Sequence, residues 1–166
     1  ISPVYLRPGF AFGGSCLPKD LRALTYSASR LDVDLPMLGH VLASNRAHLD
    51  RATRRVLAQH GRAIGVYGLS FKEDTDDVRE SPVVLMLEQL IGKGCDLSIF
   101  DPHIKLEEIY GANQRYLLHT VPHIGRLMKP EFEAWLAEAE VLVITQRPRG
   151  AHADALAASG KEIIDL

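Results

Sequence analysis

"AIGVYGLSF", residues 63–71, decides the fold. The run reads as a buried strand that ends in a loop, and beyond the loop Ser81 followed by Pro82 is expected to cap a helix through Leu85, Leu87, Leu90 and Ile91 to Gly92. The same alternation then repeats. "CDLSIFD" (95–101), "EVLVITQ" (140–146) and "EIIDL" (162–166) are further strands, with helical stretches between them. Strands alternating with helices bury both faces of a parallel sheet, so residues 61–166 are predicted to form a doubly wound, Rossmann-like α/β domain.

Toward the N-terminus the texture is helical. From Pro18, which suits the first helical position, Leu21, Leu24, Ala28 and Leu31 recur at three- and four-residue steps until residues 34–36 break the pattern. A longer helix over 36–61 follows. Its stripe is Leu38, Val41, Leu42, Asn45, Leu49, Ala52 and Val56, Gly61 stops it, and Arg46, Arg51, Arg54 and Arg55 lie on the far, solvated face. Residues 1–60 are therefore expected to be a cysteine loop and part of a helical segment. One small sheet domain would leave its stripe incompletely covered, which predicts self-association through this helix. "ISPVYLRPGF" opens the chain without an initiator methionine, and the chain is expected to be a piece of a longer protein.

The bulk numbers narrow the function. With 166 residues, 46% of them hydrophobic, the chain can bury a core of its own. Nineteen Lys and Arg against 21 Asp and Glu leave a formal net charge of -2, which gives no reason to expect nucleic acid or an anionic membrane as a partner. No apolar run approaches the roughly 20 residues of a membrane span. Two cysteines in dissimilar contexts, Cys16 and Cys95, suggest reduced thiols and a cytoplasmic setting. No metal site is expected, because Pro122 separates His119 from His123 and keeps them off a shared helix face.

Two stretches carry candidate chemistry. In "GFAFGGSCLPKD" (9–20) the glycines let the backbone turn and approach a ligand, and Cys16 lies at a helix entrance with Lys19 within about one turn. Such a setting favours a thiolate, a strong nucleophile. A small buried thiol beside a simple turn accounts for the same residues. Cys95, at the edge of an apolar strand, has no comparable setting and reads as structural. "GLSFKEDTDDVRESP" (68–82) leaves the carboxyl end of the first strand, where open α/β sheets bind ligands. Its cations, Lys72 and Arg79, suit phosphate oxygens. They suit equally a set of surface pairs worth at most about 1 kcal/mol each.

Taken in order, the cysteine stretch, a helical region and the second stretch resemble the UDP-glucose/GDP-mannose dehydrogenase family. The resemblance covers essentially the whole chain and corresponds to the C-terminal part of the family's longer enzymes. "RPGFAFGGSCLPKD" is more similar to the members that oxidise GDP-mannose than to those that oxidise UDP-glucose. The resemblance implies NAD-dependent oxidation of the sugar C6 alcohol to a carboxylate, through a thiohemiacetal and a thioester on the cysteine. It implies Cys16 as nucleophile, Asp20 as a carboxylate for water and proton steps, and Lys19 and Arg79 as contacts to NAD. Tyr5, Arg7, Gly9, Phe10 and Gly13 match the substrate loop, and Phe71 and Lys72 a substrate-contacting pair. GDP-mannose or another nucleotide sugar would be the ligand, a homodimer or higher homo-oligomer the assembly, and a uronic acid for polysaccharides such as alginate the product. UDP-glucose oxidation, and a non-catalytic binding or assembly module, stay open as alternatives.

Two features depart from the family pattern. The 166 residues contain no GxGxxG turn, so an isolated stretch of this length is expected to be inactive. "TQRPRG" (145–150) stands where UDP-glucose members commonly carry threonine, glutamate and tryptophan, which leaves base selection open and favours a non-uridine ligand.

Overall fold

The computed structural model describes residues 9–70, 78–104 and 111–166. Two helices, α1 (Leu17–Arg30) and α2 (Pro36–Leu57), precede β1 (Ala63–Tyr67), α3 (Pro82–Gly92) and β2 (Asp96–Phe100). Then come α4 (Gly111–Thr120), α5 (Ile124–Leu127), α6 (Phe132–Glu138), β3 (Val141–Ile144), α7 (Ala151–Ala158) and β4 (Glu162–Asp165). The strands form one parallel sheet in the order β2-β1-β3-β4, as the alternating pattern predicts. Ala63 lies opposite Asp96, Ile64 opposite Val141, and Val141 opposite Glu162. The chain leaves β1 toward β2 on one side and later crosses back to β3 on the other. Loops from the carboxyl ends of β1 and β3 therefore part, and a crevice for ligands lies between them.

Side chains alternate between two cores. Ile64, Val66, Leu97, Ile99, Val141 and Val143 pack on one face with α3 and with Leu49 and Val56 of α2. Tyr67, Phe100, Leu142 and Ile144 pack on the other with Phe132, Trp135 and Leu156. With apolar residues pointing both ways, the strands read as continuous runs. Gly65 makes room for the fully buried Trp135, since a Cβ there would lie 3.0 Å from the indole ring and 2.6 Å from Ala139 Cβ.

Some local expectations are corrected. β1 stops at Tyr67, because Gly68 turns the chain at φ 95 and the next N–H, that of Leu69, donates to the Asp101 carboxylate at 2.7 Å. Ser81 occupies the N-cap position of α3 but makes no capping bond, and its hydroxyl donates instead to the Leu69 carbonyl at 3.0 Å. The α1 stripe is split: Leu21 and Ala28 are buried, whereas Leu24 and Leu31 are 48% and 76% exposed. α1 packs against α2 along one flank, which leaves those two residues outside the contact. The α2 helix ends at Leu57, and residues 58–61 tighten into turns, with His60 N–H donating to Leu57 O and Arg62 N–H to Gln59 O. His119 belongs to α4 and His123 lies before α5, so Pro122 does separate them.

Candidate functional site

The two chemistry-bearing stretches, distant in sequence, meet at the amino end of α3. Gly14, at φ 86, donates its N–H to the Arg79 carbonyl at 3.1 Å. Gly13 is buried so tightly that an added Cβ would stand 2.1 Å from the Glu80 carbonyl oxygen and 2.8 Å from Pro82 Cδ. The Arg22 guanidinium of α1 donates to both carboxylate oxygens of Glu80, at 2.8 and 3.2 Å. That hydrogen bond holds the Arg22 guanidinium above its ordinary pKa. Glu80 itself sits at φ 49, left-handed backbone that costs a non-glycine residue on the order of 1 kcal/mol. From the other side Asn45 of α2 grips the loop with both ends of its amide. Its Oδ1 accepts Phe12 N–H at 3.0 Å and its Nδ2 donates to Phe12 O at 2.8 Å.

This scaffold presents Cys16 at the N-cap of α1, exposed, with Sγ 3.8 Å from Ser15 Oγ. The sulfur makes no capping bond to the helix. Access and the positive end of the helix dipole are what the position provides. Lys19 and Asp20 lie exposed in the first turn, 3.4 Å apart. Arg79 is half-buried in the adjoining loop. Phe10 packs against the core and lines a cavity of about 240 Å³ with His48, Arg51 and Arg55 of α2. Gly9 is exposed, and a Cβ added there would meet nothing within 4 Å. Tyr5, Arg7, Phe71 and Lys72 lie outside the described residues. Cys95 packs at the edge of the core, and burial pushes its thiol up.

At the carboxyl edge of the sheet, buried polar groups fix the loops. Asp101 accepts from Leu69 N at 2.7 Å, His103 N at 2.8 Å and Ile104 N at 3.1 Å, tying the ends of β1 and β2 together. The Thr145 hydroxyl donates toward the Tyr67 and Gly68 carbonyls at 2.8 and 3.0 Å. Gln146 donates to Ser70 Oγ at 2.7 Å. Sequence reading missed these residues along with Asn45 and Glu80. Asn45 had one signal, a polar amide in an apolar stripe; Asp101 had another, a carboxylate closing a strand before proline. Among the described residues no group of three or more His, Cys, Asp or Glu could hold a metal, and no helix is long and apolar enough to cross a membrane.

Comparison with known proteins agrees with this arrangement. Residues 65–155 match the UDP binding domain, and residues 1–47 the central domain, of the UDP-glucose/GDP-mannose dehydrogenase family. The chain belongs to this family of sugar-nucleotide dehydrogenases. It is 45% identical to a GDP-mannose 6-dehydrogenase from Pseudomonas savastanoi pv. phaseolicola, over 100% of this chain and 38% of that protein. UDP-glucose 6-dehydrogenase YwqF of Bacillus subtilis is 34% identical over 61% of this chain and 24% of its own. In three dimensions the chain is similar to the GDP-mannose dehydrogenase of Pseudomonas aeruginosa, known as a ternary complex, with a TM-score of 0.87 and 45% identity. That likeness covers 99% of this chain and 38% of the other. The chain thus spans somewhat over a third of the length of these relatives.

Proposed function

We propose that the chain is the sugar-nucleotide-binding end, with the reacting cysteine, of an NAD-dependent GDP-mannose 6-dehydrogenase. The observation that carries the reading is the docking of the Cys16 loop, through Gly13 and Gly14, onto the loop that leaves β1. A sugar nucleotide at the carboxyl edge of the sheet would extend its sugar toward an accessible thiol. Residues 1–60 supply the cysteine loop and part of a dimerising helical segment, and residues 61–166 the nucleotide-binding domain. The α2 residues Leu49 and Val56 join the two parts through a common core. The protein works in the cytoplasm as a homodimer.

Lys19 and Arg79 bring two cations beside the thiol, a donor set that fits the pyrophosphate of a dinucleotide. Bound NAD supplies the acceptor for the hydride lost in each of the two oxidations. After the first, Cys16 Sγ adds to the aldehyde carbon, and its proton passes to the new hydroxyl of a thiohemiacetal. Loss of a second hydride from that carbon, with the hydroxyl proton going to a carboxylate such as Asp20, leaves a thioester. Water adds to the thioester carbonyl, the C–S bond breaks, the sulfur regains a proton and the uronate departs.

A second reading, UDP-glucose as substrate, is favoured by the match of residues 65–155 to a UDP binding domain. Steady-state NADH formation by the full-length protein separates them. The expected result is two NADH per GDP-mannose consumed and a far lower kcat/KM for UDP-glucose. Reversed preference would establish the second reading, and no NADH with either sugar would overturn both.

A further inference from the structure

The turn between β3 and α7, "TQRPRG", has no part in the steps above, yet it lines a crevice at the switch of strand order. Arg147 and Arg149 border a cavity of about 190 Å³ there, with His103 from the end of β2. Among the described residues no carboxylate lines it, although the chain carries 21 Asp and Glu against 19 Lys and Arg. The walls are fixed. His152 stacks on Phe132 at a centroid distance of 4.0 Å and bonds the Tyr67 hydroxyl at 3.0 Å, and Gln146 is held by Ser70. α7 begins directly after Arg149 and Gly150, so its amino end adds positive potential on the same side. The volume is below the roughly 300–1,000 Å³ of pockets that enclose whole small-molecule ligands, and it suits one anionic part of a larger molecule.

We propose that this crevice is a phosphoryl-binding subsite, in which Arg147 and Arg149 hold the diphosphate of a nucleotide and His103 closes the opposite side. Two arginines on a short turn give the forked donors that match phosphate oxygens. The diphosphate comes from the sugar nucleotide or from the dinucleotide cofactor. The subsite rests on the reading that nucleotides bind at the carboxyl edge of this sheet.

The test is calorimetric titration of the full-length protein and of its Arg147→Ala/Arg149→Ala variant with GDP, guanosine, NAD and inorganic pyrophosphate. Both arginines are exposed, so the variant is expected to keep its thermal midpoint, and Arg147→Gln/Arg149→Gln serves if it does not. The expected result is pyrophosphate and GDP binding weaker by about tenfold per arginine removed, with guanosine unchanged. Weakened pyrophosphate and NAD binding with GDP unchanged also supports the subsite and assigns it to the cofactor. Affinities for pyrophosphate, GDP and NAD all within twofold of wild type would overturn it. The two proposals fail separately. Arginine-dependent pyrophosphate binding without sugar oxidation would keep the subsite and reject the enzyme reading, whereas unaltered affinities with normal GDP-mannose turnover would do the reverse.

Discussion

A single methyl group at Gly13 would drive the cysteine loop away from the first loop of the sheet. Built on the present backbone, the Cβ of Gly13→Ala meets the Glu80 carbonyl oxygen at 2.1 Å and Pro82 Cδ at 2.8 Å. Carbon–oxygen contacts settle at about 3.3–3.6 Å, so the loop must retreat by about 1 Å. The obstacle cannot yield easily, since it is backbone of a residue already at φ 49 followed by a proline ring. Overpacking of this kind costs about 1–3 kcal/mol. Displacing a reacting group by about 1 Å costs roughly a hundredfold in rate, and Cys16 lies on the same loop. The assay is NADH formation from GDP-mannose by the full-length variant, together with its thermal midpoint. Gly9→Ala is the stability control, because no atom lies within 4 Å of its added Cβ. A Gly13→Ala enzyme with kcat within threefold of wild type and an unshifted midpoint would refute the idea that this contact positions the cysteine.

Asn45→Ala leaves both polar groups of Phe12 without their side-chain partner, and denaturant unfolding should show a loss of about 1–3 kcal/mol. Turnover should fall with it, and unchanged stability would mean water replaces the amide without cost. Removing Lys72 should chiefly weaken binding of the sugar nucleotide and removing Arg79 binding of NAD; titrations showing both affinities intact would return these residues to surface pairs. Self-association through α2 is tested by Met37→Glu and Leu42→Glu with sedimentation velocity. Leu49 is unsuitable because it is 3% exposed within the core, where a charge would test folding instead. Dimers that persist unchanged in both variants would place the interface elsewhere.

Periodicity made the sheet legible, because each strand is an apolar run bounded by glycine, proline or acidic residues and buried on both faces. The strand ends were less legible. Whether Leu69 and Ser70 continue β1 depends on the Asp101 carboxylate, which comes from another strand and competes for the Leu69 N–H. The α1 stripe misled for a related reason: spacing shows which residues share a face, whereas the neighbour that covers the face is set by tertiary packing. At the site, the glycines and the helix entrance at Cys16 were visible as local features. The clamp from Asn45 and the meeting of Gly13 with Glu80 were not, since both join segments far apart in the chain. "TQRPRG" was visible as a departure from a pattern, and its place in the crevice needed the strand order.

The central claim is that Cys16 forms the covalent bond to the sugar, and the most direct measurement is uronate production by full-length Cys16→Ser beside Cys95→Ser. The two thiols differ in setting: one exposed at a helix entrance, the other packed against the core with its thiol pKa raised by burial. The account predicts that Cys95→Ser makes the uronic acid at close to the wild-type rate, whereas Cys16→Ser makes essentially none at steady state. Near-normal steady turnover by Cys16→Ser would contradict it.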